Sequence, residues 1–235
     1  MAHDFMESNE AHVWVAELAV LTAADVSRCD AVLSAGERER MQRFHFQRDR
    51  EIYRAAHGLA RLALSRCAPS VDPRDWTFVD DAHGKPEVAA PQRTPRLRFN
   101  ISHTHGLVAC VIAEELDCGV DVERTWRDKD LIHVARRVLT PAELSAVAGL
   151  QGEEQALLFC RYWTLKEAYA KARGLGMSLA FDQLAMDVDP PRLLSAAAHE
   201  WTLEQWPATP EHLVAVAVHR PGVQVVRHGG LPGER

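Results

Sequence analysis

Apolar and polar positions alternate over "VWVAELA" (residues 13–19), which marks a strand near the start of the chain. "SAGE" (34–37) sets a serine three residues before a glutamate, the reciprocal capping pair that opens a helix. A second helix is predicted from Asp49 through "REIYRAAHGLARLALSR". "WTFVDD" reads as a strand, "AHGKP" as a turn by its Gly and the Pro after Lys85, and "EVAAPQRTPR" as a loop broken by prolines. Three strands follow, "LRFNIS", "LVACVIA" and "CGVDVE", joined by "HTHG" and "EELD". "TPAE" (140–143) begins a helix with Thr as cap, Pro first and Glu third. Residues 153–173 form a longer helix ended by Gly174. "WTLEQW" and "LVAVAVH" supply two late strands, and the Pro/Gly tail from Pro221 is expected to be loose.

The two halves share features. Each opens with a short strand ("VWVAEL", "GVDVER") and carries a long helix with a Tyr-basic-Ala centre. Each then has a strand starting Trp-Thr and closes on Leu-Val-Ala. Either the chain is an internal duplication with a boundary near residues 114–118, or common α+β segments coincide. A duplication would place a ligand cleft between two similar lobes.

Composition fits an ordinary soluble globular protein, with 47% hydrophobic and 26% charged residues over 235 positions. The apolar runs are strand-length, too short to span a bilayer, and "MAHDFMESNE" lacks a signal-peptide pattern. Five scattered cysteines without a CxxC pair fit a reducing compartment, so the cytoplasm is the expected location and no membrane association is predicted. A net charge of −6 argues against nucleic acid as a partner. Residues 36–66 nevertheless hold eight Arg against four acidic residues, either a salt-bridged helix pair or an anion-binding wall. Lysine is rare: only residues 85, 129, 166 and 171. Two of these lie in "WTLKEAYAK" (163–171), where a Glu–Lys pair four residues apart is in the simplest reading a surface helix pair.

In a strand over "GVDVE", Asp121 and Glu123 share one face with Cα atoms about 6.8 Å apart, close enough to touch one cation. On the helix, Leu158, Tyr162, Leu165, Tyr169 and Ala172 form an apolar stripe, and Ala156, Cys160, Trp163, Glu167 and Lys171 a neighbouring column. Glu167 on that partly buried column needs a partner, either Lys171 or a metal shared with Asp121 and Glu123. Three carboxylates without His or Cys suit Mg²⁺, or Mn²⁺, and magnesium takes further ligands from substrate phosphates. In "FNISHTH", Phe99 and Ile101 face one side and Asn100 and Ser102 the other. His103 and His105 lack a third ligand for zinc, and His103 is either a satisfied turn residue or a donor to phosphate. Lys85 is either a solvated turn residue or a phosphate contact.

"GVDVE" and "WTLKEAYAK", with Trp163 standing 42 residues after Asp121, resemble the paired motifs of the two-lobed 4′-phosphopantetheinyl transferases that activate peptide and polyketide synthases. Asn100–His103 and Gly84–Pro86 match the family's Asn-x-Ser-His and Gly-Lys-Pro elements, and the resemblance spans roughly residues 34 to 180. Cys118 and Val138 depart from the pattern, at positions without a functional role. The resemblance implies two similar α/β lobes related by a pseudo-two-fold, an α+β fold with the active site at their interface. They are an N-terminal lobe (1–115), a C-terminal lobe (116–228) and a loose tail (229–235). It implies that Asp121, Glu123 and Glu167 hold Mg²⁺ against the pyrophosphate of coenzyme A. Arg40, Arg54, Lys85, Asn100, Ser102 and His103 would hold the adenosine 3′-phosphate and neighbouring groups. Lys171 would neutralise the leaving phosphate, with Glu167 a ligand first and a base second. The implied partners are coenzyme A and an acyl or peptidyl carrier protein, and the expected state is a monomer. The rivals are a coenzyme A-binding pseudoenzyme or regulator on this fold, and another Mg²⁺-dependent phosphotransfer enzyme acting on a small nucleotide.

Overall fold

The computed structural model describes residues 6–7, 9–91, 94–125, 131–195 and 197–233. The chain opens with β1 (Glu10–Glu17), α1 (Ala23–Val32), α2 (Ala35–Gln42) and the long α3 (Gln47–Cys67). A hairpin of β2 (Thr77–Asp80) and β3 (Pro86–Ala90) leads to β4 (Leu97–Thr104) and β5 (Leu107–Glu114). The same order then recurs: β6 (Cys118–Arg124), α4 (Leu131–Val138), α5 (Pro141–Ala148), long α6 (Gly152–Arg173), hairpin β7 (Met186–Val188) and β8 (Pro191–Leu193), β9 (Thr202–Thr209) and β10 (His212–Val218). β11 (Gln224–Gly229) closes the chain.

Capping explains three of the helix starts. Thr22, Ser34 and Thr140 each accept a hydrogen bond from the backbone N–H three residues on, and the Asp25, Glu37 and Glu143 carboxylates each accept one from the cap's backbone N–H. The first of these boxes uses Asp instead of Glu, and the helix it opens was not predicted from the sequence. The Pro-broken loop expected over 87–96 instead begins as β3, antiparallel to β2, with Ala90 rather than the prolines ending the strand.

One sheet runs β11-β1-β5-β4 and the other β6-β10-β9. Inner faces of both sheets share an interior of Val13, Ala109, Val111, Val120, Val122, Val214 and Val216. The outer face of the first sheet packs on α3 through Trp14, Cys110 and Ile112 against Leu59, Ala63 and Leu64. The outer face of the second packs on α6 through Ala215 and Ala217 against Leu165, Ala168 and Tyr169. The layers are helix, sheet, sheet, helix. β5 and β10 are covered on both faces, which is why they read as unbroken apolar runs.

The topology duplicates, and the rhyming opening strands and long helices fall on equivalent elements, β1 with β6 and α3 with α6, but the later rhymes do not follow it. Trp-Thr stands at β2, a hairpin strand, and at β9, a sheet edge. Leu107 and Ala109 of β5 enter the shared interior, whereas in β10 it is Val214 that does so. β11 corrects the expectation of a loose chain from Pro221: it pairs parallel with β1 from Glu10↔Gln224 to Val15↔Gly229. Beyond it Leu231 packs on the first core and Arg28 donates to the Pro232 carbonyl. Residues 234–235 of the expected tail lie outside the described residues.

The two sheets join edge to edge through side chains. Val120 N–H donates to Asn100 Oδ1 at 3.0 Å, and Val122 N–H to Ser102 Oγ at 3.2 Å. Asn100 and Ser102 thus supply acceptors where a neighbouring strand's carbonyls would stand. A buried N–H left without one costs about 1–3 kcal/mol.

Candidate active site

Gly119 determines how close β6 and α6 come. A Cβ there would sit 2.2 Å from the Ala168 carbonyl oxygen and 2.4 Å from the Ala172 nitrogen, so only glycine permits the contact. With Val120 and Val122 committed to the interior, Asp121 and Glu123 face the helix, as the alternation predicts. The close approach brings Lys171 Nζ to 2.6 Å from Asp121 Oδ1, and the same ammonium donates to Ser102 Oγ at 2.9 Å. Ser102 Oγ in turn donates to Asp121 Oδ1 at 3.0 Å. Asp121 is almost wholly buried, and its Oδ2 has no hydrogen-bond partner among the described residues.

Three carboxylates crowd this pinch against one ammonium. Burial, then the Asp121 charge, pushes the Glu123 carboxyl up to about 7, although the Trp163 indole N–H donates to its Oε1 at 2.9 Å. Burial and Asp121 also raise Glu167, with Lys171 opposing. The sequence reading missed Trp163 as a working residue. The signal was there: a half-buried indole needs an acceptor, and Trp163 stands one turn before Glu167 on the column that faces Glu123.

A hard divalent cation fits the donor chemistry. The orphaned Asp121 Oδ2 and two carboxyls held above their usual range are oxygen donors short of positive charge. Among the described residues no three acidic, His or Cys side chains form a ready-made cage. Magnesium commonly binds through one or two carboxylates and completes its shell with water and phosphate, so a full cage is not required.

Two cavities are lined by candidate residues, and the second adjoins the cluster at Glu123. One of about 440 Å³ is walled by Tyr53, Trp76, Phe78, Phe99 and Ile101, with Arg40 and His57 at its edge. The other, about 390 Å³, lies beside Glu123 between Val134, Phe159, Cys160 and Trp163. At His103, near the end of β4, burial, then Lys171, then His57 lower the pKa. Within the first cavity Glu37 stays ionised, at about 2. Burial alone would raise it, but bonds from His57, the Ser34 N–H and Arg61 outweigh that effect. Arg61 is itself held by Glu37 and by the Pro73 and Trp76 carbonyls.

The predicted anion-binding set is only partly assembled. Arg40 lines the first cavity, and His103 on β4 lies within reach of the Lys171 charge. Arg54 does neither: it lies over α1, 3.4 Å from Asp30, in a separate cavity with Leu18, Leu21 and Cys29. Asn100 and Ser102 are taken up by β6, and Ser102 keeps its contact with Lys171. Lys85 is neither solvated nor in either cavity; its Nζ donates to the Cys118 carbonyl at 3.0 Å and to that of Ala172 at 3.4 Å. The three- and four-residue spacing within "WTLKEAYAK" hides a division of labour. Glu167 and Lys171 face β6, while Lys166 points away and is fully buried. It donates to Glu143 Oε2 at 2.6 Å and to the Val138 and Phe181 carbonyls. Burial lowers its pKa, with Glu143 opposing.

Comparison with known proteins identifies the family. The sequence model described as the 4′-phosphopantetheinyl transferase superfamily matches residues 117–217, and that of the 4′-phosphopantetheinyl transferase N-terminal region matches residues 22–116. The chain is 32% identical over 213 residues to the 4′-phosphopantetheinyl transferase HetI of Nostoc, covering 90% of this chain and 88% of that one. It is 30% identical to a 4′-phosphopantetheinyl transferase of Bacillus subtilis, covering 71% of each. It is 27% identical to the human L-aminoadipate-semialdehyde dehydrogenase-phosphopantetheinyl transferase, covering 84% of this chain and 70% of that one. Among solved structures, a Bacillus anthracis holo-(acyl-carrier-protein) synthase in complex with CoA (3′,5′-ADP) aligns with 45% of this chain and 96% of its own, at 26% identity and a TM-score of 0.38. By sequence over nearly its whole length, the chain belongs to the 4′-phosphopantetheinyl transferase family.

Proposed function

We propose that the protein moves the 4′-phosphopantetheine group of coenzyme A onto a serine of an acyl or peptidyl carrier protein, releasing adenosine 3′,5′-bisphosphate. The observation that carries this reading is the carboxylate–ammonium cluster of Asp121, Glu123, Glu167 and Lys171, with one cavity adjoining it at Glu123 and a second, aromatic-walled cavity in the first lobe. The aromatic-walled cavity with Arg40 at its edge suits an adenosine carrying phosphate. The cavity between Phe159, Cys160 and Trp163 suits the less polar pantetheine arm.

Asp121, Glu123 and Glu167 would hold Mg²⁺ or Mn²⁺, which when bound supplies positive charge to the pyrophosphate oxygens. Lys171, fixed by Asp121 and Ser102, donates to the phosphate that leaves and balances the charge growing on it. Glu167 holds its place as a ligand and, where free, takes the proton of the serine hydroxyl; burial makes it a better base than an exposed glutamate. Arg40 meets the adenosine-side phosphate as a charged, directional donor. Bond making is between the serine oxygen and the pantetheine-side phosphorus, and bond breaking is at the pyrophosphate bridge. A panel of apo carrier proteins incubated with coenzyme A and Mg²⁺, followed by mass spectrometry, tests this. A phosphopantetheine adduct with equimolar adenosine 3′,5′-bisphosphate is expected. Coenzyme A binding without either product would point to a regulator on the same fold.

A further inference from the structure

Lys85 belongs to the β2–β3 turn of the first lobe, yet its ammonium lies at the base of the second lobe's β6–α6 pinch. Its two acceptors bracket the cluster. Cys118 begins the strand that carries Asp121 and Glu123, and Ala172 follows Lys171 in the last turn of α6. Carbonyls of a helix's last turn lack intrahelical partners and attract a cation. The turn itself lies against the same helix end. Asp81 Oδ1 accepts the Lys85 and His83 N–H groups, and Asp81 Oδ2 lies where a side chain on Gly174, the left-handed cap of α6, would need to be, 3.0 Å from its Cβ position. Lys85 is itself 8% exposed, and its neighbours Asp80 and Pro86 line the 440 Å³ cavity.

We propose that Lys85 is a positioning residue: a strut from the first lobe that ties the start of β6 to the last turn of α6 and so fixes Lys171 against Asp121. It does not contact substrate. This inference goes beyond the transfer reaction, and its turnover measurement rests on that proposed reading. The hydrogen-exchange measurement does not.

The test is Lys85→Met, which keeps the stem and removes the ammonium. In the ligand-free variant, amide exchange should accelerate in residues 171–175 and at the start of β6 while α3 keeps its protection. Dissociation constants for coenzyme A and for 3′-dephospho-coenzyme A should each stay within about 3-fold of wild type. The single-turnover rate at saturating coenzyme A should fall roughly 10- to 100-fold, the cost of a reacting group displaced by a fraction of an ångström. A purely structural role would lower stability without this local exchange signature or the loss of rate in folded protein. A selective loss of coenzyme A affinity over its 3′-dephospho form would make Lys85 a phosphate ligand and overturn the proposal. Unchanged exchange in the last turn of α6 would overturn it as well. If the methionine variant is too unstable to purify, Lys85→Gln, whose amide can still donate to one carbonyl, is judged by the same criteria. Should no variant or wild-type protein transfer phosphopantetheine, the proposed reaction fails while the exchange result still decides the strut.

Discussion

At Glu123, burial and the neighbouring Asp121 charge keep the carboxyl protonated up to about pH 7. The native state therefore holds a proton that the unfolded chain releases near pH 4.5, so metal-free stability attributable to this group falls as pH rises from about 4.5 to 7. A shift of that size corresponds to at most about 3 kcal/mol. Glu123→Gln should remove this slope, making the variant more stable than wild type at pH 8 and similar at pH 5, in urea unfolding with a chelator present. Equal slopes in both proteins would contradict the assignment. Because a divalent cation needs the ionised carboxylate, Mg²⁺ affinity by calorimetry should rise between pH 6 and pH 8 in wild type. Trp163→Phe removes the indole N–H that favours the ionised form of Glu123, a bond to a charged group worth about 1.5–3 kcal/mol. It should weaken Mg²⁺ binding at pH 7, read by calorimetry, and an unchanged Mg²⁺ affinity would contradict the role of this bond.

The β6–α6 pinch depends on residues whose roles the sequence shows unevenly. Alternation placed Asp121 and Glu123 on one face, and helical spacing placed Glu167 and Lys171 in one column; both survive in the structure. What spacing could not show is which way Lys166 turns, because its partner Glu143 is brought in by a capping box on another helix. Nor could it show that Lys85 reaches across lobes, since its turn read as holding either a solvated lysine or a phosphate contact. Arg54 lay in a basic segment, but one face of α3 looks to the aromatic cavity and the other to α1; only the packing partners distinguish them. Lys166→Met leaves Glu143 buried against an apolar stem, so a loss of about 3–5 kcal/mol is expected in thermal or urea unfolding. An exposed helix pair would lose a few tenths. Gly119→Ala puts a methyl into backbone atoms of α6 that no rotamer can clear, and should cost about 1–3 kcal/mol. Transfer by the protein that still folds should fall further than that loss of stability accounts for, since the helix carrying Lys171 must move outward.

Across the whole molecule, the two lobes repeat one order of elements but contribute differently: the second holds the cluster, while the first supplies the aromatic cavity and the edge residues Asn100 and Ser102 that attach β4 to β6. β11 ties the chain's end back to its beginning by pairing with β1, and Arg227 lies over Trp206 of β9 at 4.1 Å while pairing with Glu204. Alternation and apolar runs made the strands of both sheets legible up to β10, and the tail's Pro and Gly concealed the last strand, which gains order only from its partner. Truncation after Val223 should therefore lower the unfolding midpoint, although no cluster residue is touched. The central claim is that the carboxylate–ammonium pinch performs the transfer, and it is tested most directly by single-turnover conversion of an apo carrier protein with coenzyme A and Mg²⁺ in wild type and Asp121→Ala. Wild type should yield the holo carrier in a chelator-sensitive reaction, and Asp121→Ala, folded by circular dichroism, should yield none above background. Conversion by Asp121→Ala at the wild-type rate, or by wild type in excess chelator, would contradict the account.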